Sequence, residues 1–186
     1  MQSKREQLIN TATRLYAERG YHATGIDTIL AESGIAKKTL YNHFRKKEEL
    51  ILAVLRQHDG EFRNYFMRQV ETAADKPKDR LLAIFDIAEK WFSQKNFFGC
   101  MFINAIGEYS EQDTPIREAC REYKKLMRDY IQSLAEEAAA TNPGELADEL
   151  ALLLEGATVT AQVSERSNAA KTAKQIARTL IKNATN

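Results

Sequence analysis

Residues that interrupt regular backbone structure are scarce in this chain, which has only three prolines and eight glycines among its 186 residues. No stretch alternates apolar and polar residues as a half-buried strand would, whereas apolar residues recur with the helical period almost throughout. The hydrophobic share of 44% is enough for a real core. The sequence therefore predicts an ordered, all-α protein.

Long apolar runs and a cysteine framework are also absent. No run approaches the roughly 18 apolar residues of a membrane span, and the basic residues near the N-terminus precede no apolar stretch of the kind that a signal peptide contains. Two cysteines in a chain of this length do not make a disulfide framework, so we expect reduced thiols. These absences predict a cytoplasmic protein with no membrane partner.

Signatures of the common catalytic sites are missing as well. The chain has no Gly-rich phosphate-binding loop, no Gly-x-Ser-x-Gly elbow and no His-Glu-x-x-His motif. The three histidines, His22, His43 and His58, stand in unrelated contexts and make no set of metal ligands. We therefore expect that the protein is not an enzyme and needs no cofactor or metal ion.

Positive charge is concentrated near one end, although the net charge of the whole chain is only +1. Residues 1–50 have nine Lys or Arg and six Asp or Glu, a net of +3, whereas residues 51–186 have eighteen and twenty, a net of −2. Residues 36–47 include five basic residues and no acidic one. A basic footprint on one element is typical of a small DNA-binding unit attached to a larger body.

Residues 24–47 have the pattern of a helix-turn-helix. Two short helical segments meet at Gly34, where glycine permits the left-handed backbone of a tight turn. We expect Thr24 to begin the first of these helices as a side-chain cap, with Asp27 completing a variant of the capping box. With a helix over about 3–18, the motif makes a three-helix unit.

The second helix of the motif carries the side chains that can read DNA. It is predicted over Lys37–His43, with Leu40 and Phe44 facing the core, so that its other side chains point outward. Ala36 stands where a capping Ser or Thr is expected, at a cost of about 1 kcal/mol. Because the second helix of such motifs lies in the major groove, the pattern predicts a DNA-binding protein.

About nine helices are predicted in all. After the motif they cover about 47–71, 77–94 and 98–109, then a seventh that opens at Thr114-Pro115, an eighth from Asn142-Pro143 to about 163, and a last over about 168–183. A loop is expected at 164–167.

A set of positions between about residues 6 and 55 falls into one register without gaps. Its members are Ala12, Leu15, Gly20, Tyr21, Thr24, Ile29, Ala31, Gly34, Ile35, Lys37, Leu40, Tyr41, His43, Phe44, Lys47, Glu48 and Leu50. In these residues the chain resembles the TetR (tetracycline-repressor) family of transcriptional regulators, with 34–44 as the most diagnostic segment. Ala36 departs from the common Ser, and the rest of the chain resembles the family only in the number and lengths of its helices.

The resemblance implies a helix-turn-helix DNA-binding domain over residues 1–47 and a larger helical effector-binding and dimerisation domain over 48–186, linked by the fourth helix. It also implies a homodimer made largely by the last two helices. Repression of transcription, with release from the operator when a small molecule binds, is implied in the same way.

Eight residues are predicted to contact double-stranded DNA. They are Thr24, Lys37, Lys38, Thr39, Tyr41, Asn42, His43 and Lys47. We assign base edges to Lys38, Thr39 and Asn42, because Asn can pair with adenine and Lys can reach guanine. By resemblance, phosphates are contacted by Tyr41, His43, Thr24 and Lys47. Alternatively, Tyr41 packs on the three-helix unit, His43 bonds only backbone, and the lysines serve solubility.

The last two predicted helices carry small and aliphatic residues that we assign to the dimer interface. The assigned residues are Leu150, Leu153, Leu154, Gly156, Ala157, Ala161, Ala173, Ile176, Ala177 and Leu180. A dimer would place two recognition helices roughly 34–36 Å apart, or somewhat wider, on a pseudo-palindromic operator. The alternative is that these residues form an ordinary intramolecular core.

Helices five to seven are rich in aromatic and sulfur-containing residues, with a few polar residues between them. The predicted effector-binding residues are Phe85, Trp91, Phe92, Phe98, Met101, Phe102, Asn104, Glu108, Tyr123 and Met127. A mostly apolar cavity with few polar groups suits a small apolar or aromatic effector. Any one of these residues could instead simply fill the core.

Two other interpretations of the function stay open. A thiol-based redox or electrophile sensor would use Cys100 or Cys120, but the apolar and charged contexts of these cysteines favour inert core thiols. A DNA-binding protein without an effector is the other, and the aromatic-rich C-terminal part argues against it.

Overall fold

All regular structure in the described part of the chain is α-helical. The computed structural model describes residues 2–111, 114–164 and 168–185. Within these ranges the helices are α1 Lys4–Arg19, α2 Ile26–Ser33, α3 Lys37–His43, α4 Lys47–Ala73, α5 Pro77–Phe92, α6 Met101–Glu108, α7 Pro115–Glu137, α8 Pro143–Val163 and α9 Ala169–Ala184. The all-α prediction is confirmed. The loop predicted at 164–167 lies, apart from Ser164, outside the described residues.

Local side-chain chemistry explains several helix ends. Ser3 and Glu6 form a reciprocal capping box at the start of α1, and Gly20 ends that helix with a φ of +87°. At α8 the side chain of Asn142 accepts a hydrogen bond from the backbone N–H of Glu145. No helix in the described ranges is long and apolar enough to cross a bilayer.

The sixth helix is shorter than predicted. It begins at Met101 instead of residue 98, because the chain makes a turn at Phe97, whose N–H donates to the carbonyl of Gln94. Gly99 then adopts a φ of +85°, which a residue with a side chain rarely adopts, and a Cβ there would collide with the side chain of Gln162.

Packing divides the chain into two compact units. The first consists of Met1–Glu61 with Cys100–Glu122, and the second of Phe62–Gly99 with Tyr123–Asn186. The first unit therefore contains α1, α2, α3, the start of α4 and also α6, which we had assigned to the effector-binding domain. The assignment of functions to residues 1–47 and 48–186 stays a prediction.

In the first unit, α1 packs against both helices of the helix-turn-helix. Leu8 and Leu15 of α1, Ile29 of α2, Leu40 of α3 and Leu50 of α4 are completely buried. Burying each such side chain contributes about 1.5–3 kcal/mol. This shared core orients α3, because Leu40 is anchored on one side of that short helix.

In the second unit, α5, α8 and α9 pack against one another. The contacts of α9 use the small residues Ala170, Ala173 and Ala177, all buried, which permit close approach of the helices. At the edge of this packing, Lys174 of α9 bonds both carboxylate oxygens of Asp86 in α5, at 2.5 and 2.6 Å.

Gly34 and Gly60 form a matched pair for testing the turn of the motif, because an added Cβ has nothing within 4 Å at either position. Gly34 has a φ of +65°, whereas Gly60 lies inside α4. We expect Gly34→Ala to lower the free energy of unfolding by about 1–2 kcal/mol, since a Cβ is strained in the left-handed region. Gly60→Ala should raise it by about 0.5–1 kcal/mol.

Urea unfolding followed by circular dichroism measures both changes. A Gly34→Ala protein as stable as the wild type would contradict the claim that the turn requires glycine.

Candidate DNA-binding surface

The outward face of α3 is defined by its one fully buried residue, Leu40. At about 100° per residue, Lys38 and Asn42 lie on the opposite side of the helix, and both are exposed. They are four residues apart, so an ammonium and an amide stand side by side on the surface. These are groups that can hydrogen-bond neighbouring base edges in the major groove.

The flanks of this face carry the other predicted contacts on α3. Tyr41 is 45% exposed, so its ring is not packed into the three-helix core. His43 is exposed and Thr39 is half-buried. Lys37 lies 3.4 Å from a carboxylate oxygen of Asp27, but both groups are well exposed and such a pair is weak. The structure thus brings these side chains together on one solvent-facing surface.

The turn before α3 fixes the angle between the two helices of the motif. Gly34 is left-handed, and its N–H donates to the carbonyl of Leu30 at 3.0 Å. The next residue, Ile35, is buried and anchors the turn in the core. From α1, the side-chain amide of Gln7 donates to the carbonyl of Ser33 at 2.8 Å.

Two roles were predicted for Thr24: its role as the cap of α2 is wrong, and its contact with a phosphate is unsupported. The N-cap of α2 is Gly25, without a side-chain cap. The Thr24 hydroxyl is fully buried and lies 2.8 Å from the carbonyl of Gly20 and 3.3 Å from that of Leu15. The hydroxyl thus bonds the end of α1, where the carbonyl of the C-cap Gly20 has no partner within the helix. We therefore remove Thr24 from the proposed phosphate contacts.

Lys47 is the first residue of α4 and lies beside the turn that links α1 to α2. Its ammonium is 3.5 Å from the carbonyl of His22. Partial burial lowers the pKa of Lys47, and the carboxylates of Glu48 and Glu108 oppose this effect. The structure therefore places a partly desolvated cation at a helix N-terminus, where the helix dipole also attracts phosphate.

The carboxylate of Glu108, at the C-terminal end of α6, holds the turn after α1. One oxygen accepts the backbone N–H of Tyr21 at 2.8 Å, and the other accepts that of His22 at 2.6 Å. The His22 ring nitrogen Nε2 donates to the carbonyl of Glu108 at 2.9 Å. A Cβ on Gly20 would lie 3.0 Å from the carboxylate, so glycine also makes room for it.

Aromatic rings extend the same contact to the other end of α6. The Tyr21 hydroxyl donates to the carbonyl of Met101 at 3.0 Å, and burial raises the pKa of Tyr21 so that this donor stays protonated. Tyr109 stacks on His22, with ring centroids 4.8 Å apart. Both ends of α6 are thus hydrogen-bonded to the two residues that follow Gly20.

Two family models match the chain. The model for bacterial regulatory proteins of the tetR family matches residues 8–54, which run from α1 into α4. The model for the tetracyclin repressor-like C-terminal domain matches residues 77–177, more than half of the chain. The chain belongs to the TetR family.

Individual relatives agree with this assignment. The HTH-type transcriptional activator FasR of Mycolicibacterium smegmatis is 39% identical over 80 residues, which are 43% of this chain and 36% of FasR. The HTH-type transcriptional repressor KstR2 of the same species is 34% identical over 84 residues, 45% of this chain and 40% of KstR2. The chain thus spans less than half the length of these curated relatives.

Among solved structures, the TetR-family regulator SCO4454 from Streptomyces coelicolor has a TM-score of 0.89 and 26% sequence identity, covering 98% of this chain and 96% of that one. Membership of the TetR family makes the chain a helix-turn-helix transcriptional regulator rather than an enzyme.

The predicted effector residues of this TetR-family chain are divided between the two compact units. Met101, Phe102, Asn104 and Glu108 belong to the first, and Phe85, Trp91, Phe92, Phe98, Tyr123 and Met127 to the second. Glu108 is the one that the structure contradicts, because both of its carboxylate oxygens already accept backbone N–H groups. Its partners are 86 and 87 positions away in the chain, and no periodic pattern marks such a contact.

Trp91 stands in an aromatic cluster that the sequence analysis identified only in part. Its ring centroid is 4.7 Å from that of Phe62 and 5.1 Å from that of Phe97, which it meets edge-on. Phe92 also contacts Phe97, at 5.1 Å. Phe98, the neighbour of Phe97, is 38% exposed. Phe62 was missed, because it lies in α4, outside the helices that we assigned to the effector.

Four of the residues assigned to the TetR-type dimer interface lie inside the second unit. Leu150, Ala157, Ala173 and Ala177 are buried within a single chain, although Ala157 and Ala173 also line a groove between α8 and α9, and the interface assignment stays a prediction. Leu153, Leu154, Ala161 and Leu180 are half-buried, whereas Gly156 and Ile176 are exposed. The most exposed large apolar residues of α8 are ones that we did not name, Leu152 at 73% and Val163 at 79%.

Cys100 and Cys120 are both buried. A sensor thiol has to be accessible to its oxidant, so burial argues against the redox interpretation.

Glu108→Gln tests the contact between α6 and the turn after α1. Glutamine keeps one acceptor oxygen, but its NH₂ group would face a backbone N–H, which leaves that donor unsatisfied. We expect the free energy of unfolding to fall by about 1–3 kcal/mol, with faster hydrogen exchange at the Tyr21 and His22 amides. The control is Glu111→Gln, an exposed acid beyond α6. Equal exchange rates in both variants would contradict the assignment.

Proposed function

We propose that this TetR-family regulator is a dimeric repressor that binds a pseudo-palindromic operator through α3 and dissociates when a small apolar or aromatic effector binds. The observation that carries the proposal is the outward face of α3, where Lys38 and Asn42 are exposed opposite the buried Leu40. A solvent-facing helix with hydrogen-bonding side chains, behind a glycine turn, is the arrangement that enters a major groove.

The geometry of α3 divides its contacts into two kinds. Lys38, Asn42 and the half-buried Thr39 face base edges, and these contacts select the sequence. Tyr41 and His43 on the flanks, and Lys47 at the start of α4, hold phosphates and set the register on the duplex. Residues 36–47 contain no acid, so no carboxylate on this segment repels the backbone.

The exposed apolar face of α8 supports a dimer. Leu152, Gly156, Val159 and Val163 recur at intervals of three or four residues, so they lie on one side of the helix. Beside them, α8 and α9 enclose a groove of about 410 Å³ whose lining includes Gly156 and Ile176. Large side chains as exposed as these mark an interaction surface. A second copy related by a two-fold axis would cover both faces at once.

The aromatic cluster around Trp91 and the contact made by Glu108 support an effector response. Stacked and edge-on rings provide the apolar surface that a planar ligand needs. Within the first unit, a displacement of α6 would break the hydrogen bonds that hold Tyr21 and His22, and so would move the helix-turn-helix. The effector has to bind this second arrangement more tightly, because equal affinity for both would shift nothing.

Repression is the proposed outcome because the chain matches the model for the tetracyclin repressor-like C-terminal domain. Of the two relatives described above, KstR2 is named a repressor and FasR an activator. Binding of genomic fragments, selected with the purified protein, tests the DNA-binding role directly and identifies the adjacent genes, whose transcription then tests the direction of regulation.

Asn42→Ala tests the assignment of base readout on the selected fragments. Loss of a bidentate contact to one base should weaken specific binding by about 1–3 kcal/mol, roughly 5- to 150-fold, with little change on random duplexes. The matched control is Asn64→Ala, an exposed asparagine of α4, which should bind both duplexes like the wild type. Fluorescence anisotropy at fixed salt gives the six dissociation constants, those of the wild type and the two variants on each duplex. An equal loss on both duplexes would show that Asn42 does not read sequence.

Leu152→Glu with Val163→Glu tests the dimer. Two carboxylates on each copy of the α8 face would be desolvated in the interface, so we expect the double variant to be monomeric at micromolar concentration. Light scattering gives the mass, and circular dichroism verifies the fold. Gln175→Glu, an exposed position of α9, is the control and should stay dimeric. A double variant that remains dimeric would place the interface elsewhere.

A further inference from the structure

We infer that Arg5, in the first turn of α1, binds a backbone phosphate of the operator beside the C-terminal end of α3. The inference rests on the proposed DNA-binding role of α3 and adds a contact outside the helix-turn-helix. Its basis is where the structure holds the Arg5 guanidinium and which groups surround it.

The start of α1 is fixed, so Arg5 has a defined position. Ser3 Oγ accepts the backbone N–H of Glu6 at 3.2 Å, and the N–H of Ser3 donates to the Glu6 carboxylate at 2.8 Å. This capping box satisfies two backbone donors and prevents fraying of the first turn. It also commits the Glu6 carboxylate to the backbone, although that carboxylate is the acid next to Arg5 in sequence.

The guanidinium of Arg5 lies over the ring of Phe44, 5.4 Å from its centroid. Phe44 is the residue that ends α3, and it is buried. From the same turn of α1, Gln7 bonds the carbonyl of Ser33, just before the glycine turn. The first turn of α1 therefore contacts the helix-turn-helix at Ser33, where its first helix ends, and at Phe44, where its second helix ends, which places Arg5 at the exit of α3.

A contact with an aromatic face uses none of the N–H donors of a guanidinium, so these donors stay available to another partner. Along the described ranges, Arg5 forms no salt bridge, whereas Arg14 pairs with Glu18 and Glu32 and Arg19 pairs with Glu32. Of these three arginines of α1, Arg5 is thus the one whose donors stay available for an external anion.

The external anion is identified by the dimensions of the recognition helix. Seven residues give α3 a length of about 10 Å, and the major groove is about 12 Å wide. Groups at the end of the helix therefore come near the sugar-phosphate wall rather than the base edges. The planar fork of arginine binds phosphate oxygens in pairs, which suits this position.

Arg5→Gln tests the inference, with Arg14→Gln as the control and Arg5→Lys as a variant that keeps the charge. Each protein is titrated onto a selected fragment and onto a random duplex between about 50 and 200 mM salt. Arg5→Gln should weaken binding about 3- to 10-fold at low salt on both duplexes, and should reduce the slope of log affinity against log salt by about one. The other two variants should retain the slope of the wild type.

Each contrary result overturns the inference in a different way. A wild-type affinity and slope for Arg5→Gln, on fragments that the wild type binds specifically, removes Arg5 and leaves the proposed function intact. A loss confined to the selected fragment makes Arg5 a base contact, not a phosphate contact. A slope that falls as much in Arg5→Lys as in Arg5→Gln also overturns the inference, because lysine keeps the charge on which the salt dependence of a phosphate contact rests. Failure of the wild type to bind any fragment ends both proposals.

Discussion

The arrangement of the DNA-binding unit depends on one carboxylate, that of Glu108. It accepts two consecutive backbone N–H groups, from Tyr21 and His22, in the turn where α1 ends and the helix-turn-helix begins. Hydrogen bonds to a charged acceptor are roughly twice as strong as neutral ones. Glu108, at the end of α6, therefore stabilises this turn strongly. Lys47, a proposed phosphate contact, bonds the carbonyl of the same His22. A displacement of α6 therefore reaches the residues that would face DNA through direct contacts.

The recognition helix itself has little stability of its own. It is seven residues long, and its N-cap, Ala36, supplies no side-chain hydrogen bond. An isolated helix of this length does not persist in water, so α3 exists because Leu40 and Phe44 are buried against the rest of the first unit. Since these two residues stabilise α3, the side chains on the opposite face are not needed for folding and can contact DNA. If α3 binds DNA as we propose, changes at Lys38 or Asn42 would alter DNA specificity with little effect on stability.

The same division explains how much the sequence could predict. The boundaries of α3, the glycine turn and the inward residues follow from periodicity and turn chemistry, which are local, and all were confirmed. Thr24 and Glu108 were misassigned because their hydrogen-bond partners lie elsewhere in the fold. On α8 and α9, the periodicity identified the apolar residues, but it could not predict whether the same chain or a second copy covers them. Ala173 and Ala177 are covered by the same chain, whereas Leu152 and Val163 are not.

Energetics connect these contacts to regulation by a small molecule. Hydrogen bonds to charged groups contribute about 1.5–3 kcal/mol each, net of the water that replaces them, so releasing both N–H groups from Glu108 would cost at most about 3–6 kcal/mol. To move an equilibrium between two conformations from 1:99 to 99:1, a ligand has to bind one conformation more tightly than the other by about 5.5 kcal/mol. A ligand with micromolar affinity has about 8 kcal/mol in total. A switch built on this one carboxylate thus lies within the range of a small effector, whereas a rearrangement of the whole core would not.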